Sequence, residues 1–290
     1  MWIKLQKIAS PIVFEGAEKL VPVLEQVLCG WTLKPMAQKK GTPQITITAG
    51  PKGFIRQSPW APNGISEAFL DPVDAVCDLL LDMERAYVEY VTKAGENVFL
   101  LHAAGVKMGH GVEKGVVVFP ATHESGKSLL SVALAKAGHQ IFADDQLPVV
   151  KDKKGKPFLA QAPGFLPRLR RPLPTDLKTD FLDYIRSHNG PLSHRFRYVD
   201  LGHDSLAPFG EQAPIRAVVA LDRQPGAMPK CETITEAEIL KACVMQSFGR
   251  NIGALEVLDN LHALVKSVPC IKLTYDNVHE ATAMLQEKFS

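Results

Sequence analysis

Phe119-Pro-Ala-Thr-His-Glu-Ser-Gly-Lys-Ser128 decides how this chain is read. It fits the pattern G-x-x-x-x-G-K-[ST] except at the first position, where Ala121 stands for glycine. An apolar strand, Val116 to Phe119, enters the stretch, and a helical pattern from about Lys127 to Ala137 leaves it, ended by Gly138. In a strand-loop-helix turn of this kind, backbone N–H groups wrap a phosphate and the helix N-terminus adds a favourable dipole. The candidate nucleotide-binding residues are therefore Ala121, Thr122, His123, Glu124, Ser125, Gly126, Lys127 and Ser128. Lys127 is expected to reach the β- and γ-phosphates, and the Ser128 hydroxyl to bind magnesium. The bland alternative is an ordinary strand-to-helix turn.

Two residues of the loop are unusual. If position 121 needs a positive φ, alanine costs roughly 1–2 kcal/mol there. A carboxylate such as Glu124, ~4 Å from a phosphate charge, would be repelled by about 4 kcal/mol at an effective dielectric of about 20. Glu124 must therefore point outward, help to hold a metal, or weaken nucleotide binding.

Working outward, Gly138-His-Gln-Ile-Phe-Ala-Asp144-Asp145 reads as the next strand, ending in two carboxylates. Magnesium prefers hard oxygen ligands and commonly uses one or two carboxylates beside nucleotide phosphates. Adjacent strand residues face opposite ways. One aspartate can hold the metal and the other can accept a proton from an attacking hydroxyl. A solvated strand end is the alternative. Upstream, Val98 to Val106 reads as one strand, and the short connector 107–115 makes it an antiparallel hairpin with Val116 to Phe119, because a parallel crossover needs a dozen or more residues. His102 lies on that strand. It reads equally as a hydrogen-bonded core residue or as part of the site.

These residues together resemble the catalytic domain of the HPr kinase/phosphorylase family over roughly residues 98 to 150. The resemblance implies a fold related to phosphoenolpyruvate carboxykinase, an α/β (α+β) arrangement with a mixed sheet around the P-loop. It also implies ATP and Mg2+ as cofactors, Asp144 as magnesium ligand, Asp145 as catalytic base, and His102 in support of the phosphate site beside Lys127. The family loop has glycines where this chain has Ala121 and Glu124, and the family's downstream Glu-x-Arg-Gly segment is missing. The expected reaction is thus magnesium-dependent transfer of phosphate from ATP to a hydroxyl of a protein serine or a small molecule, with HPr itself not the expected acceptor. A catalytically weak nucleotide-binding module that regulates a partner is the alternative.

Further along, Phe165-Leu-Pro-Arg168-Leu-Arg170-Arg171-Pro carries three candidate substrate contacts, Arg168, Arg170 and Arg171. Arginines suit bidentate contacts with phosphate or carboxylate. A solvated basic loop is the alternative. Arg195 and Arg197, on an alternating stretch before Tyr198, are further candidates. His188, His194 and His203 lack metal-ligand spacing.

The rest of the chain supplies scaffold. Ile3 to Ile8 and Gln44 to Thr48 read as strands, Gly16 to Leu28 as a helix, and Asp71-Pro72 as the capped start of a long helix striped by Val73, Val76, Leu79, Leu80, Met83 and Tyr87. Thr175 to Ser187, Glu236 to Phe248, Gly253 to Val268 and Val278 to Phe289 read as helices, and Ile215 to Leu221 and Cys270 to Tyr275 as strands. The expected division is a small α+β unit over 1–95 and a P-loop catalytic domain over 96–290.

The 290 residues carry 33 Lys plus Arg against 31 Asp plus Glu, a net charge of +2, with 46% hydrophobic residues. That balance fits a protein able to bury a sizeable core. It argues against nucleic acid or an anionic membrane as the main partner. No apolar run approaches the ~18 residues of a membrane span. The N-terminus lacks a secretory pattern. The five scattered cysteines form no C-x-x-C pair. A reduced, cytoplasmic setting is expected. Assembly as a homo-oligomer is left open.

Overall fold

The computed structural model describes residues 1–37, 41–66, 69–111, 114–120, 125–151, 157–244, 247–248 and 253–289. Ala121, Thr122, His123 and Glu124 lie outside the described residues.

The chain opens with five strands, of which the first, fourth and fifth alternate buried and more exposed residues, as half-buried strands do. They are β1 (Trp2–Leu5), β2 (Ile12–Glu15), β3 (Leu33–Pro35), β4 (Ile45–Gly50) and β5 (Gly53–Gln57). They pair in the order β3-β1-β2-β4-β5, with β2 and β4 parallel and the other pairs antiparallel. A short helix, α1 (Val21–Val27), buries Leu24 and Val27. Then comes α2 (Pro72–Lys93), 22 residues or about 33 Å long. Asp71 caps it as expected, its Oδ1 accepting from the Val73 amide at 2.8 Å. Its expected stripe, Val73 to Tyr87, is buried.

The strand expected over 98–106 is two strands, β6 (Val98–Leu101) and β7 (Ala103–Met108), interrupted at His102. The apolar run continues through the interruption, so its periodicity carries no mark of it. The remaining elements are β8 (Gly115–Pro120), α3 (Lys127–Lys136), β9 (Gln140–Ala143), β10 (Leu147–Val150), β11 (Leu159–Gln161) and β12 (Arg168–Arg170). They continue with α4 (Thr179–Ser187), β13 (Asn189–Leu192), β14 (Phe196–Val199), α5 (Gly202–Ser205) and β15 (Gln212–Arg223). The chain closes with β16 (Lys230–Thr233), α6 (Glu236–Val244), β17 (Ser247–Phe248), α7 (Ala254–Ser267), β18 (Cys270–Tyr275) and α8 (Val278–Phe289).

Three helix expectations change: the one over Gly16 to Leu28 is a 3-10 turn, Glu18–Leu20, followed by α1 from Val21. Helix α4 begins at Thr179 rather than Thr175, because Lys178 is extended. Helix α6 stops at Val244, and residues 247–248 pair instead with the edge of β6.

Among the described residues the large sheet runs β17-β6-β10-β11-β15-β8-β7-β9, with β18 and β16 continuing from the far half of β15. Strands β8, β15 and β18 are parallel, whereas β7 is antiparallel to both β8 and β9. The expected hairpin is present, Ala103 opposite Pro120 and Met108 opposite Gly115. The chain is thus a mixed α/β protein with a mixed sheet around the strand-to-helix turn.

Alternate residues of β8 feed different sides of this sheet. Val117 and Phe119 join a core with Leu130 and Leu134 of α3 and Leu285 of α8. Val116 and Val118 join a second core with Ile239 of α6 and Leu261 and Leu264 of α7. The first of these cores also holds Phe14, Leu24 and Met83, so the interior is continuous across residue 95.

The early and late parts of the chain are also stitched together by backbone. The Cys29 amide donates to the Gly164 carbonyl at 2.8 Å, Leu166 to Val27 at 3.0 Å and Phe209 to Cys29 at 2.9 Å. Gly164 has φ +67°, and a Cβ there would lie 2.3 Å from the Cys29 oxygen, so only glycine permits this approach. Trp31 stacks on Phe209 with ring centroids 3.7 Å apart. The sheet β12-β14-β13 is tied to α2 by Ser193, whose hydroxyl donates to buried Asp74 at 2.8 Å. No helix among the described residues is long and apolar enough to cross a membrane.

Candidate active site

The carboxyl ends of β8, β9, β15 and β18 meet at the N-terminus of α3, where parallel α/β sheets commonly bind ligands. A cavity of about 240 Å³ opens there, lined by Lys127, Ser128, Asp144, Asp145, Arg168 and Arg223 among others.

Gly126 precedes the helix with φ +86°, a left-handed turn that glycine adopts without strain. Its carbonyl accepts the first helical bond, from Leu130 at 2.9 Å. The turn is braced from β18, whose last residue, Tyr275, donates its hydroxyl to the Ser125 carbonyl at 3.0 Å. Tyr275 is buried, and burial pushes its phenol up to about 12, with Arg223 opposing.

Lys127 is only 7% exposed. Burial lowers its ammonium pKa, Asp145 and Asp144 oppose that, and Arg170 adds to it. An ammonium enclosed beside two carboxylates is placed to neutralise an anion entering the cavity.

The two aspartates lie in the bend that follows β9, beyond its last residue Ala143, and have different surroundings. Asp144 accepts at Oδ2 from the Arg168 amide at 2.8 Å. Its Oδ1 is enclosed and has no hydrogen-bond partner among the described residues. Burial raises its carboxyl to about 7; the Arg168 amide pulls it back, Asp145 pushes it up, and Ser128 and Lys127 pull it down. Asp145 has a side chain 34% exposed, with Oδ1 at 2.9 Å from His102 Nε2 and Oδ2 at 3.4 Å from Arg168 Nη2. The interruption between β6 and β7 thus turns His102 onto Asp145.

Magnesium fits this oxygen set. Asp144 and Ser128 both line the cavity and supply a carboxylate and a hydroxyl, both hard oxygen donors. Magnesium needs few protein ligands when phosphates and water complete its shell. Among the described residues no group of three or more His, Cys, Asp or Glu is arranged to hold a metal ion.

Of the candidate substrate contacts, Arg168 and Arg170 line the cavity. Arg168 is held by Asp145, by the Cys77 sulfur on α2 and by the ring of Phe196, 4.7 Å away. Arg171 turns elsewhere, donating to the Ser193 carbonyl at 2.6 Å. Arg197 donates to Asn189 at 2.9 Å and Arg195 lies 3.9 Å from Asp74, so neither guanidinium is committed to the cavity. His188 bonds the Tyr184 carbonyl at 2.8 Å, and His203 lies 3.5 Å from the Cys29 sulfur.

The structure also brings in residues that no motif marks. Arg223, at the end of β15, lines the cavity and donates through Nε to the Asp276 carbonyl at 2.9 Å. Glu84 on α2 is 3% exposed behind the aspartates, and burial, reinforced by Asp145 and opposed by Arg85, pushes its carboxyl well up. Glu84 lies beside the expected stripe of α2, and nothing in its spacing marks it beforehand.

No family model matches the chain, and no curated protein matches it. Among solved structures, the chain is distantly similar to the Hpr(Ser) kinase/phosphatase from Coxiella burnetii, with 14% identity over 65% of this chain and 91% of that one, and a TM-score of 0.31. A likeness of that extent carries no weight in the reading of the site, which rests on the geometry above.

Proposed function

We propose that the chain binds ATP at the N-terminus of α3 and transfers its terminal phosphoryl group to a hydroxyl, of a protein serine or of a small molecule. The observation that carries this reading is the convergence of Lys127, Asp144, Asp145 and His102 at one end of the sheet. Phosphoryl transfer relies mainly on positioning and charge stabilisation. Lys127 and the amides at the start of α3 hold the phosphates. Asp145, oriented by His102 and open to the cavity, takes the acceptor's proton. The acceptor oxygen then bonds to the γ-phosphorus while the bond to the bridging oxygen breaks, its electron pair leaving with the diphosphate. Arg168 and Arg170 face the same space and offset the charge of the transferring group or grip an acidic acceptor. When bound by Asp144 and Ser128, magnesium supplies charge neutralisation of the phosphates.

The decisive experiment is titration of ATP with and without Mg2+, followed by turnover. Saturable binding strongly weakened by Lys127→Ala, with phosphate transfer lost in Asp145→Asn, supports the reading. An intact chain that binds no ATP ends it. The regulatory-module alternative draws on Glu124 in the loop and on Asp144, whose carboxyl is raised by burial to about 7. Tight binding without turnover, strengthened in Glu124→Gly, would favour that alternative.

A further inference from the structure

At the end of α3 remote from Lys127 lies a second large cavity, of about 490 Å³. The end of the β7-β8 hairpin supplies Lys107, His110 and Lys114 to its wall. The turn from α3 into β9 supplies Gly138 and His139, and α5 supplies His203 and Asp204. Helix α3 has 10 residues, about 15 Å, and the two cavities have no lining residue in common.

The charge on this wall is one-sided. Asp204 is the single carboxylate among the described lining residues, and it forms no ion pair with any of them. Lys107 is already paired, with Glu211 at 2.9 Å. Lys114 and His110 have neither a hydrogen bond nor an ion pair from their side chains among the described residues. Their charges reach His139: burial lowers its imidazole pKa, and His110 and Lys114 add to that. Like charges gathered in a concave site raise the local concentration of ions of the opposite sign.

The chemistry of the wall narrows the ligand. Three histidines line the cavity, yet among the described residues no three His, Cys, Asp or Glu are arranged to hold a metal ion. The carbonyls at the end of α3 are partly discharged, since the Gly138 amide donates to Ala135 at 2.9 Å and the His139 amide to Leu134 at 3.0 Å. The described lining holds no arginine, the residue that grips planar carboxylates with two parallel bonds. Lysine and imidazole donors act as separate points and suit a tetrahedral oxyanion. The volume lies within the roughly 300–1,000 Å³ of small-molecule sites.

We propose that this cavity binds a small phosphate-bearing molecule through Lys114, His110 and His139, at a site separate from the nucleotide site proposed above. This binding does not depend on the kinase reading.

The test uses the full chain and pyrophosphate as probe. Calorimetric titration of Lys127→Ala protein, in which the site at the start of α3 is weakened, should still find one saturable site. Adding Lys114→Ala should weaken that site by about 10- to 100-fold, the worth of a hydrogen bond to a charged group. Lys114 is exposed, so its replacement leaves the fold intact, and His139→Gln should act in the same direction. No saturable site in the Lys127→Ala protein, or one indifferent to Lys114→Ala, overturns the proposal. Tungstate soaked into wild-type crystals should give anomalous density between Lys114 and His139; density at Lys127 alone, or none in this cavity, overturns it as well. In the otherwise wild-type chain, Lys114→Ala should leave ATP affinity unchanged. Failure of ATP to bind the wild type would end the nucleotide reading and leave this site to be decided by pyrophosphate.

Discussion

His102 Nε2 lies 2.9 Å from Oδ1 of Asp145, a residue 43 positions further along the chain. The bond fixes one carboxylate oxygen, and Arg168 approaches the other at 3.4 Å. Asp145→Asn should therefore keep ATP affinity and lower turnover by about 10²–10⁴-fold, the usual worth of a general base. Hydrolysis with water as acceptor provides the assay before the acceptor is known. A normal rate in Asp145→Asn would remove the base role from this residue.

Lys127 occupies the same space from the helix side. Lys127→Ala should weaken ATP binding by about 100-fold, because a charge-assisted contact in an enclosed site is worth about 1.5–3 kcal/mol. Fluorescent-nucleotide titration measures this directly. Unchanged affinity would show that the ammonium serves only to offset the aspartates.

The acidity of Asp144 sets a pH dependence. Its carboxyl is raised by burial from 3.8 to about 7, so the folded state favours the protonated form. The stability this group contributes is complete below about pH 4 and is lost as pH rises through about 7. Glu84 is shifted in the same direction. The nucleotide-free protein should melt at a lower temperature at pH 8 than at pH 5, and Asp144→Asn should flatten that slope in part. Mg2+ with ATP requires the ionised carboxylate, so its binding should tighten over the same interval. Calorimetry at several pH values checks both signs.

Tyr275 braces the turn at Ser125. Tyr275→Phe deletes one hydrogen bond, worth about 0.5–1.5 kcal/mol, and should weaken ATP binding a few-fold. Gly126→Ala should be more severe: its φ of +86° costs alanine roughly 1–2 kcal/mol, and the added Cβ would lie 3.3 Å from the Tyr275 oxygen. If Gly126→Ala bound ATP as well as the wild type, the turn would not be part of the phosphate cradle.

Much of this frame is legible in the sequence because its signals are local. Asp71-Pro72 announces α2, the hairpin follows from the short connector, and β9, β18 and α8 lie where their patterns end. The missing parts depend on distant neighbours. Nothing near His102 signals a strand break, which arises because β6 pairs with β10 whereas β7 pairs with β8 and β9. Residues 247–248 leave the helical pattern to satisfy the edge of β6. Tyr275, Arg223 and Glu84 join the site from remote elements, and no spacing rule connects them to Gly-Lys-Ser. Arg171 shows the converse: it belongs to the right segment but bonds the neighbouring sheet.

The seam between Cys29 and Gly164 has a thermodynamic consequence. Main-chain bonds run both ways across it, and the segment it grips leads directly to Arg168. Heat cannot loosen the amino-terminal sheet without freeing that arginine, so the chain should melt in a single cooperative step, with the cavity wall at Arg168 and the integrity of its first ninety or so residues lost together.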